Sequence, residues 1–367
     1  MLELMRIVIR VDSSIEMGIG HVMRCLTLAE ALKENNTQVE FICREHEGNL
    51  IDFIRVKGFK VYPLPIRESF SEIPQSTSLK SKNILNYAHW LGGSQQQDAD
   101  LCKVILKKIN PDWVIVDHYA LDETWQIKLQ GVYKKLMVID DLADRKHQCD
   151  VLLDQTYGRQ VRNYQYLVPD SCHLLLGSKY SLLRPEFAKW REYSLKRREN
   201  PELKKLLITL GGADQNNVTG KILEKLKTCD LRADLEIMVI MGSIGPHIDD
   251  IQQQAKVLPY KIEVRSNISN MAEIMANADF AIGASGATTW ERCCLGLPSI
   301  QIVLAQNQKL IAQLIHKAGA ALSIEVDQLD QMNNQISHLM NQMRSLISNS
   351  AKVTDGTGIT HVLRYIK

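Results

Sequence analysis

The sequence predicts an α/β protein of two Rossmann-like domains, whose parallel sheets face each other across a cleft. Short apolar runs, such as 7–11 and 113–116, alternate with longer stretches of helical periodicity along the whole chain. The runs are apolar throughout, which is typical of parallel strands covered on both faces. The rhythm restarts near residue 205, and 367 residues are enough for two domains.

The domains are expected at 1–192 and 203–350, and a final segment at 351–367 is expected to pack back on the first. A charged stretch, 190–205, contains one proline and is the best linker candidate, although a solvated helix face has the same composition.

Each half alternates strands with helices. The first half has strands at 7–11, 38–43, 60–64, 113–116, 136–139, 151–153 and 174–176. One helix of this half begins at His21, and the others cover 49–57, 87–109 with a break at Gly92-Gly93, and 124–135. The stretch 67–84 is predicted to be a loop. The second half has strands at 205–210, 235–241, 261–265, 280–282 and 299–304. Its helices cover 217–227, 248–255, 271–277, a stretch ending at 295, 329–347 and 358–365.

Composition limits the possible partners and the compartment. The chain is 45% hydrophobic and 23% charged with a net charge of +2, so neither nucleic acid nor membrane is indicated as a partner. No apolar run approaches the roughly 20 residues of a membrane helix, and the start does not resemble a signal peptide. The eight cysteines are scattered without a C-x-x-C pair, which predicts free thiols in a cytoplasmic protein and no zinc site.

The segment from Arg10 to Glu30 has the strongest functional signal. A buried strand leads into a loop with Gly18 and Gly20, and a helix begins at His21. Glycines let a ligand approach the backbone, and histidine is the side chain best suited to act as a base near neutral pH. Asp12 is expected to orient the His21 ring, bind a sugar hydroxyl or cap a turn. Arg24 could pair with phosphate, but an exposed helix arginine is slightly favoured.

A second loop, 283–289, joins a buried strand to a helix through small residues. Such a loop can cradle phosphate with backbone N–H groups, and Glu291 in the following helix could accept the hydroxyls of a ribose. The loop is neither a Walker A loop nor G-x-G-x-x-G, and a plain strand–helix turn is an equal alternative. The loop at 211–214 has the same two interpretations. His118 and Tyr119 follow a strand end, where pocket residues are expected, whereas His147 and Cys149 are expected at the surface and in packing.

These pieces together resemble one family, the UDP-2,4-diacetamido-2,4,6-trideoxy-β-L-altropyranose hydrolases (PseG family) of pseudaminic acid biosynthesis. The matching motifs follow one order along nearly the whole chain: R-x-D-S-S-x-x-x-G-x-G-H at 10–21, VDHY at 116–119, CD with VLL at 149–153, GSKYSLLRPEF at 177–187, GGAD at 211–214, the loop and helix at 285–291, and NQ at 307–308.

The resemblance implies a GT-B fold and hydrolysis of a UDP-sugar at C1 with inversion. The implied reaction releases 2,4-diacetamido-2,4,6-trideoxy-L-altrose, which is used for flagellin glycosylation or a surface polysaccharide. The resemblance assigns the general base to His21 and makes water the acceptor. Oriented N–H groups can stabilise the departing diphosphate, and no carboxylate cluster suited to Mg²⁺ stands out in the sequence, so we expect no metal, no cofactor and a monomer. The resemblance also implies a set of substrate-binding residues: Asp12, Gly20, Tyr119, Arg184, Gly211, Gly212, Ser285, Gly286, Ala287, Glu291 and Asn307. The alternatives are a GT-B glycosyltransferase that uses the same donor and a non-catalytic nucleotide-sugar-binding module.

Overall fold

The computed structural model describes residues 4–66, 85–212, 214–242 and 245–367, and these form two compact α/β units. The first unit contains the described residues up to Gln155, together with Arg159–Leu182 and Ile359–Lys367. The second contains Thr156–Gly158 and Leu183–Gly358. The loop predicted at 67–84 lies outside the described residues.

The first unit contains a seven-stranded parallel sheet. Its strands are β1 Arg6–Val11, β2 Gln38–Arg44, β3 Lys60–Leu64, β4 Trp113–Asp117, β5 Lys135–Ile139, β6 Val151–Asp154 and β7 His173–Leu176. Its helices are α1 Gly20–Glu34, α2 Ile51–Val56, α3 Gln95–Ile109 and α4 Glu123–Lys128. The spatial order of the strands is β3-β2-β1-β4-β5-β6-β7, so the direction in which successive strands are added reverses between β1 and β4.

The second unit contains a six-stranded parallel sheet in the order β10-β9-β8-β11-β12-β13. Its strands are β8 Lys205–Thr209, β9 Glu236–Met241, β10 Lys261–Ser266, β11 Phe280–Ala284, β12 Ser299–Val303 and β13 Leu322–Glu325. Its helices are α5 Pro185–Arg197, α6 Val218–Leu226, α7 Ile248–Val257, α8 Met271–Asn277, α9 Thr288–Cys294, α10 Lys309–Lys317, α11 Met332–Asn341 and α12 Met343–Ala351. A last helix, α13, spans Gly358–Leu363, and Ile359 and Val362 pack in the core of the first unit.

Each sheet is covered by apolar side chains on both faces. In β1, Ile7 and Ile9 pack with α1 and α2 on one face, while Val8 packs with α3 and α4 on the other. The second sheet divides in the same way, with Ile208 on one face and Leu207 on the other. This two-sided burial explains why the strands are uninterrupted apolar runs in the sequence.

Four element predictions need correction. The helix predicted at 124–135 ends at Lys128, because the chain turns and Gly131 has a φ of 82°. The linker candidate at 190–205 is helix over its first half, since α5 runs to Arg197 and begins with a proline in its first turn, which agrees there with the alternative of a solvated helix face. The helix predicted at 329–347 divides at Gln342 into α11 and α12, and β13 was not predicted.

The cysteines and the membrane prediction can be compared with the structure directly. All eight cysteines are free, as predicted, and the two sulfur atoms of Cys149 and Cys172 are 3.7 Å apart. In the described part of the chain, no helix has the length and apolar character needed to cross a membrane.

Candidate functional site

The first candidate site lies at the carboxyl ends of β1 and β4. These two strands are neighbours at the point where the strand order reverses, and Val11 is paired with Asp117. Ligands of open α/β sheets bind outside the strand ends at such a reversal. The topology therefore brings the glycine loop that follows β1 beside the residues Asp117 to Tyr119.

The glycine loop leaves open space in front of the helix. The N–H of Gly18 donates to the carbonyl of Ser14 at 2.9 Å, and Gly18 has a φ of 73°. A Cβ atom added to Gly18 or to Gly20 would meet nothing within 4 Å. Gly18 is thus needed for its backbone conformation, while the space above both glycines is available to a ligand.

His21 and Asp117 form a hydrogen-bonded pair at this site. Nδ1 of His21 lies 2.7 Å from Oδ1 of Asp117, and the His21 side chain is 11% exposed. Burial would raise the pKa of Asp117, but the charge of Arg24 and the hydrogen bonds from Arg24 and His21 hold that pKa well below its usual range. An ionised Asp117 needs a donor, so we assign the proton to Nδ1. The Nε2 lone pair is then free to take a proton from another molecule.

Arg24 links this pair to Asp141 and Tyr119. Its Nε and Nη2 donate to the two oxygens of Asp117 at 2.6 and 2.7 Å, and Nη1 donates to Oδ2 of Asp141. The hydroxyl of Tyr119 donates to the same Asp141 oxygen at 3.0 Å. The expectation of an exposed Arg24 is therefore wrong: it is buried because two carboxylates, distant in sequence, neutralise it.

Asp141 lies just after the strand predicted at 136–139 and was not among the predicted site residues. Its Oδ1 is buried and has no hydrogen-bond partner in the described part of the chain. The Tyr119 ring meets the His21 ring edge-on with centroids 4.6 Å apart. Asp141 therefore contacts two residues, Arg24 and Tyr119, that lie next to the His21–Asp117 pair.

Asp12 does not contact His21. Its carboxylate accepts hydrogen bonds from the Arg10 guanidinium at 2.8 Å and from the backbone N–H of Arg44 at 2.6 Å. Nε2 of His118 lies 3.2 Å from it. The interpretation that Asp12 orients the His21 ring is wrong, because Asp117 does so. A role for Asp12 in sugar binding stays a prediction.

Two aromatic residues near His21 were not predicted. Trp90 stacks on Tyr119 with centroids 5.8 Å apart at an interplanar angle of 22°, and Tyr87 lies 4.6 Å from Trp90. The Trp90 indole N–H donates to Glu16 in the glycine loop at 3.2 Å. In the sequence both aromatics appear in a helical stretch. Their position before Gly92-Gly93 was the one available signal of a loop.

His147 was expected at the surface but is buried, with Nδ1 3.0 Å from the Gln126 side-chain nitrogen. Burial lowers its pKa to about 4 despite the nearby charge of Asp140. Cys149 is buried, as expected for packing.

The second candidate site lies at the ends of β8 and β11, where the strand order of the second sheet reverses. Gly211 has a φ of 96°. A Cβ atom added to Gly242 would lie 1.8 Å from the carbonyl oxygen of Gly212. Asp214 accepts hydrogen bonds from the N–H groups of Val218 and Thr219, both at 2.8 Å, and so caps α6.

The loop from Ser285 to Thr288 has unused backbone donors. Ser285 is buried, and its N–H donates to Ile302 at 3.1 Å. The N–H groups of Gly286, Ala287 and Thr288 find no acceptor among the residues that the structure describes. Three free N–H donors in one turn can bind an anion.

Arg184 and Glu291 come together beside this loop. Nη2 of Arg184 is 3.5 Å from Oε1 of Glu291, and Nη1 is 3.0 Å from Glu186. Burial raises the pKa of Glu291, although the charge of Arg184 opposes the shift. Asn307 is half-buried in a 3₁₀ turn, Gln306–Gln308, and Gln308 approaches Gly286 to within 3.9 Å of where a Cβ would lie. The predicted nucleotide residues of the second unit are thus grouped at its two glycine-containing loops.

Over the described ranges, no group of three or more His, Cys, Asp and Glu side chains has the arrangement of a metal site.

Comparison with known proteins connects both halves to carbohydrate enzymes. Residues 206–360 match the glycosyltransferase family 28 C-terminal domain. An uncharacterised protein of Methanocaldococcus jannaschii is 31% identical over 83% of this chain, which spans 56% of that protein's length. The spore coat polysaccharide biosynthesis protein SpsG of Bacillus subtilis is 25% identical, covering 98% of this chain and 96% of the relative.

Two further comparisons bear on the predicted resemblance. The UDP-2,4-diacetamido-2,4,6-trideoxy-β-L-altropyranose hydrolase of Campylobacter jejuni is 27% identical, covering 86% of this chain and 97% of the relative. The crystal structure of MurG from Acinetobacter baumannii superposes with a TM-score of 0.67 at 15% identity, covering 99% of both chains. The predicted GT-B fold class is confirmed, and so is the resemblance of this chain to the PseG hydrolase.

Proposed function

We propose that the protein hydrolyses UDP-2,4-diacetamido-2,4,6-trideoxy-β-L-altropyranose at the sugar C1 and releases UDP and 2,4-diacetamido-2,4,6-trideoxy-L-altrose. The observation that carries the proposal is the His21–Asp117 pair, which leaves Nε2 free beside an open glycine loop. The similarity to the Campylobacter hydrolase, which covers 86% of this chain, supports the substrate class.

In the proposed reaction, His21 Nε2 takes a proton from water while the water oxygen attacks C1 from the face opposite UDP. The C1–O bond breaks with its electron pair moving to the diphosphate, so the configuration at C1 inverts. Asp117 holds the imidazole in position and stabilises its positive charge as the proton arrives. Because UDP is a good leaving group, the mechanism requires no general acid.

The nucleotide is assigned to the second unit. The free N–H groups at 286–288 would hold the diphosphate together with Arg184 and the Gly211-Gly212 loop, and Glu291 would accept the ribose hydroxyls. We propose that these fixed donors stabilise the departing diphosphate without a metal ion. Tyr119 and Asn307 are assigned to the sugar. We further propose that residues 1–192 provide the sugar side and 203–350 the UDP side of a monomeric cytoplasmic enzyme.

The test is UDP release from the proposed substrate by the purified protein without an added acceptor. His21→Ala should lower kcat by about 10²–10⁴-fold, the usual contribution of general base catalysis, and leave UDP affinity unchanged. His338→Ala, an exposed histidine in α11, is the matched control and should retain full activity. Full activity of His21→Ala would disprove the assignment of the base.

A GT-B glycosyltransferase is the second candidate, because residues 206–360 match a glycosyltransferase domain. In that case UDP release would require an acceptor alcohol, and the wild-type protein would release none in water alone. UDP binding without turnover under either condition would indicate a non-catalytic binding module.

The ribose assignment has its own test. Glu291→Gln should weaken UDP binding by about tenfold or more, since a hydrogen bond to a charged group contributes about 1.5–3 kcal/mol. It should also reduce the preference for UDP over 2′-deoxy-UDP, measured by calorimetry. Glu192→Gln, on an exposed position of α5, is the control. An unchanged preference for UDP would refute the ribose contact.

A further inference from the structure

Arg292 is a buried arginine without an ionic partner. It is 1% exposed, and no carboxylate among the described residues forms an ion pair with it. Its Nη2 donates to the carbonyl of Ala284 at 2.8 Å and lies 3.3 Å from the Thr289 hydroxyl, while Nη1 lies 3.1 Å from the Thr288 hydroxyl. Its Nε is buried and finds no acceptor in the described part of the chain.

Among the described residues, four of the five other buried arginines contact carboxylates. Arg10 and Arg24 each contact two carboxylates. Arg198 has no carboxylate contact, but it donates to the carbonyls of Met275, Ala276 and Ala278 at the end of α8. Several carbonyl oxygens at a helix end carry a partial negative charge. Arg292 has no such group of partners, since its one carbonyl acceptor is Ala284. A buried cation with so little compensation is costly unless another group supplies negative charge.

The fold holds the Arg292 guanidinium directly under the 284–289 turn. Of its three hydrogen-bonding partners, Thr288 is one of the three residues with free N–H groups, and Ala284 and Thr289 lie on either side of that group in the sequence. A Cβ atom at Gly283 would lie 2.5 Å from Nη1 of Arg292, so only glycine leaves room for the guanidinium.

We propose that Arg292 is a positioning residue of the nucleotide site, whose uncompensated charge is neutralised when a diphosphate binds on the 286–288 N–H groups. The inference rests on the proposed function, which locates UDP at this loop. Arg292 acts through the turn without touching the ligand. The turn excludes water from the guanidinium, so its field at the diphosphate is weakly screened. The same charge favours UDP as the leaving group, because negative charge on the diphosphate grows as the C1–O bond breaks.

The experiment compares the affinities of UDP and uridine, because only UDP carries the diphosphate. Arg292→Met should weaken UDP binding at least tenfold and leave uridine binding within about twofold. Arg292→Lys should restore part of the UDP affinity, because it keeps a charge at this position. Arg198→Met removes the other buried arginine of this unit that lacks a carboxylate contact, and it should leave the UDP-to-uridine ratio unchanged.

Gly283→Ala provides a second variant that keeps all charges. Its methyl group would displace the guanidinium, so a selective loss of UDP affinity is expected here as well. It decides the question if Arg292→Met does not fold.

Two results would overturn the inference. If UDP and uridine weaken by the same factor in both variants, Arg292 merely supports the turn; if neither weakens, its charge does not reach the ligand. Failure of the wild-type protein to bind UDP would instead remove the proposed function, and this inference with it.

Discussion

At the residue scale, charges buried at the first candidate site have specific partners. Asp117 contacts His21 and Arg24, and Arg24 extends the network to Asp141. Neutralising pairs of this kind are expensive to break, because removing one member leaves the other buried and uncompensated. The network therefore holds the His21 ring in one orientation, which is what a base needs before substrate arrives.

Asp117→Asn tests this orientation. The amide cannot stabilise a protonated His21 as the carboxylate does, so kcat for UDP release should fall by about 10²-fold or more. UDP affinity, which we assign to the second unit, should not change. Asp52→Asn, a highly exposed carboxylate of the same unit, is the control.

Because Arg24 would also lose a partner, the free energy of unfolding must be measured alongside the rate. A folded Asp117→Asn protein with wild-type kcat would show that Asp117 does not serve the reaction.

At the element scale, loops at strand ends approach each other so closely that side chains are excluded. The loops after β8 and β9 meet where Gly242 packs against the carbonyl of Gly212. The backbone there cannot move freely, because β8 and β9 are paired along their length. Gly242 directly follows the strand predicted at 235–241, and its contact with Gly212 depends on the pairing of the two strands.

Gly242→Ala should therefore destabilise the second unit. A Cβ atom 1.8 Å from the Gly212 oxygen requires a backbone shift, and such overpacking usually costs about 1–3 kcal/mol, occasionally more. Chemical denaturation should show the loss, and calorimetry should show weaker UDP binding, because Gly212 moves. Gly93→Ala is the comparison, since its Cβ would approach a side-chain oxygen no closer than 3.4 Å. Equal stability of both variants would contradict the packing argument.

Element boundaries show where local signals fail. The apolar spacing of Trp125, Leu129 and Val132 continues past Lys128, so a periodicity search extends α4 beyond its end. All three side chains are buried, but the last two lie in turns. Burial, which produces the apolar spacing, does not by itself distinguish a helix from a packed turn.

At the scale of the whole molecule, the buried ionisable groups make stability depend on pH. His147 is buried beside Asp140 and Arg145, and its pKa falls from the usual 6.5 to about 4 because burial disfavours the charged form. Between these two pH values the unfolded chain binds the proton and the folded chain does not. The free energy of unfolding should therefore fall as the pH falls from 6.5 towards 4.

His147→Gln should reduce this loss by about 2–3 kcal/mol, since each pKa unit corresponds to about 1.4 kcal/mol. Denaturant unfolding at several pH values between 7 and 4 measures the slope, with His338→Gln as the exposed control. Some slope should remain, because burial also lowers the pKa of His118. Identical slopes in the wild type and in His147→Gln would disprove a neutral buried His147.

The two-sheet architecture and the location of both candidate sites could be predicted from the sequence alone. Strands covered on both faces are apolar throughout, and glycines at strand ends mark places where backbone meets ligand. These signals are local, so His21 and the loop at 285–287 could be found without coordinates.

Which side chains meet was decided by the tertiary structure alone. Asp117 holds His21, although Asp12 is nearer in sequence, because β4 lies beside β1 in the sheet. Arg24 is buried because Asp117 and Asp141 converge on it, and the burial of Arg292 depends on a turn that closes over it. Electrostatic contacts depend on distance in space, and residues 96 positions apart have no local pattern that pairs them.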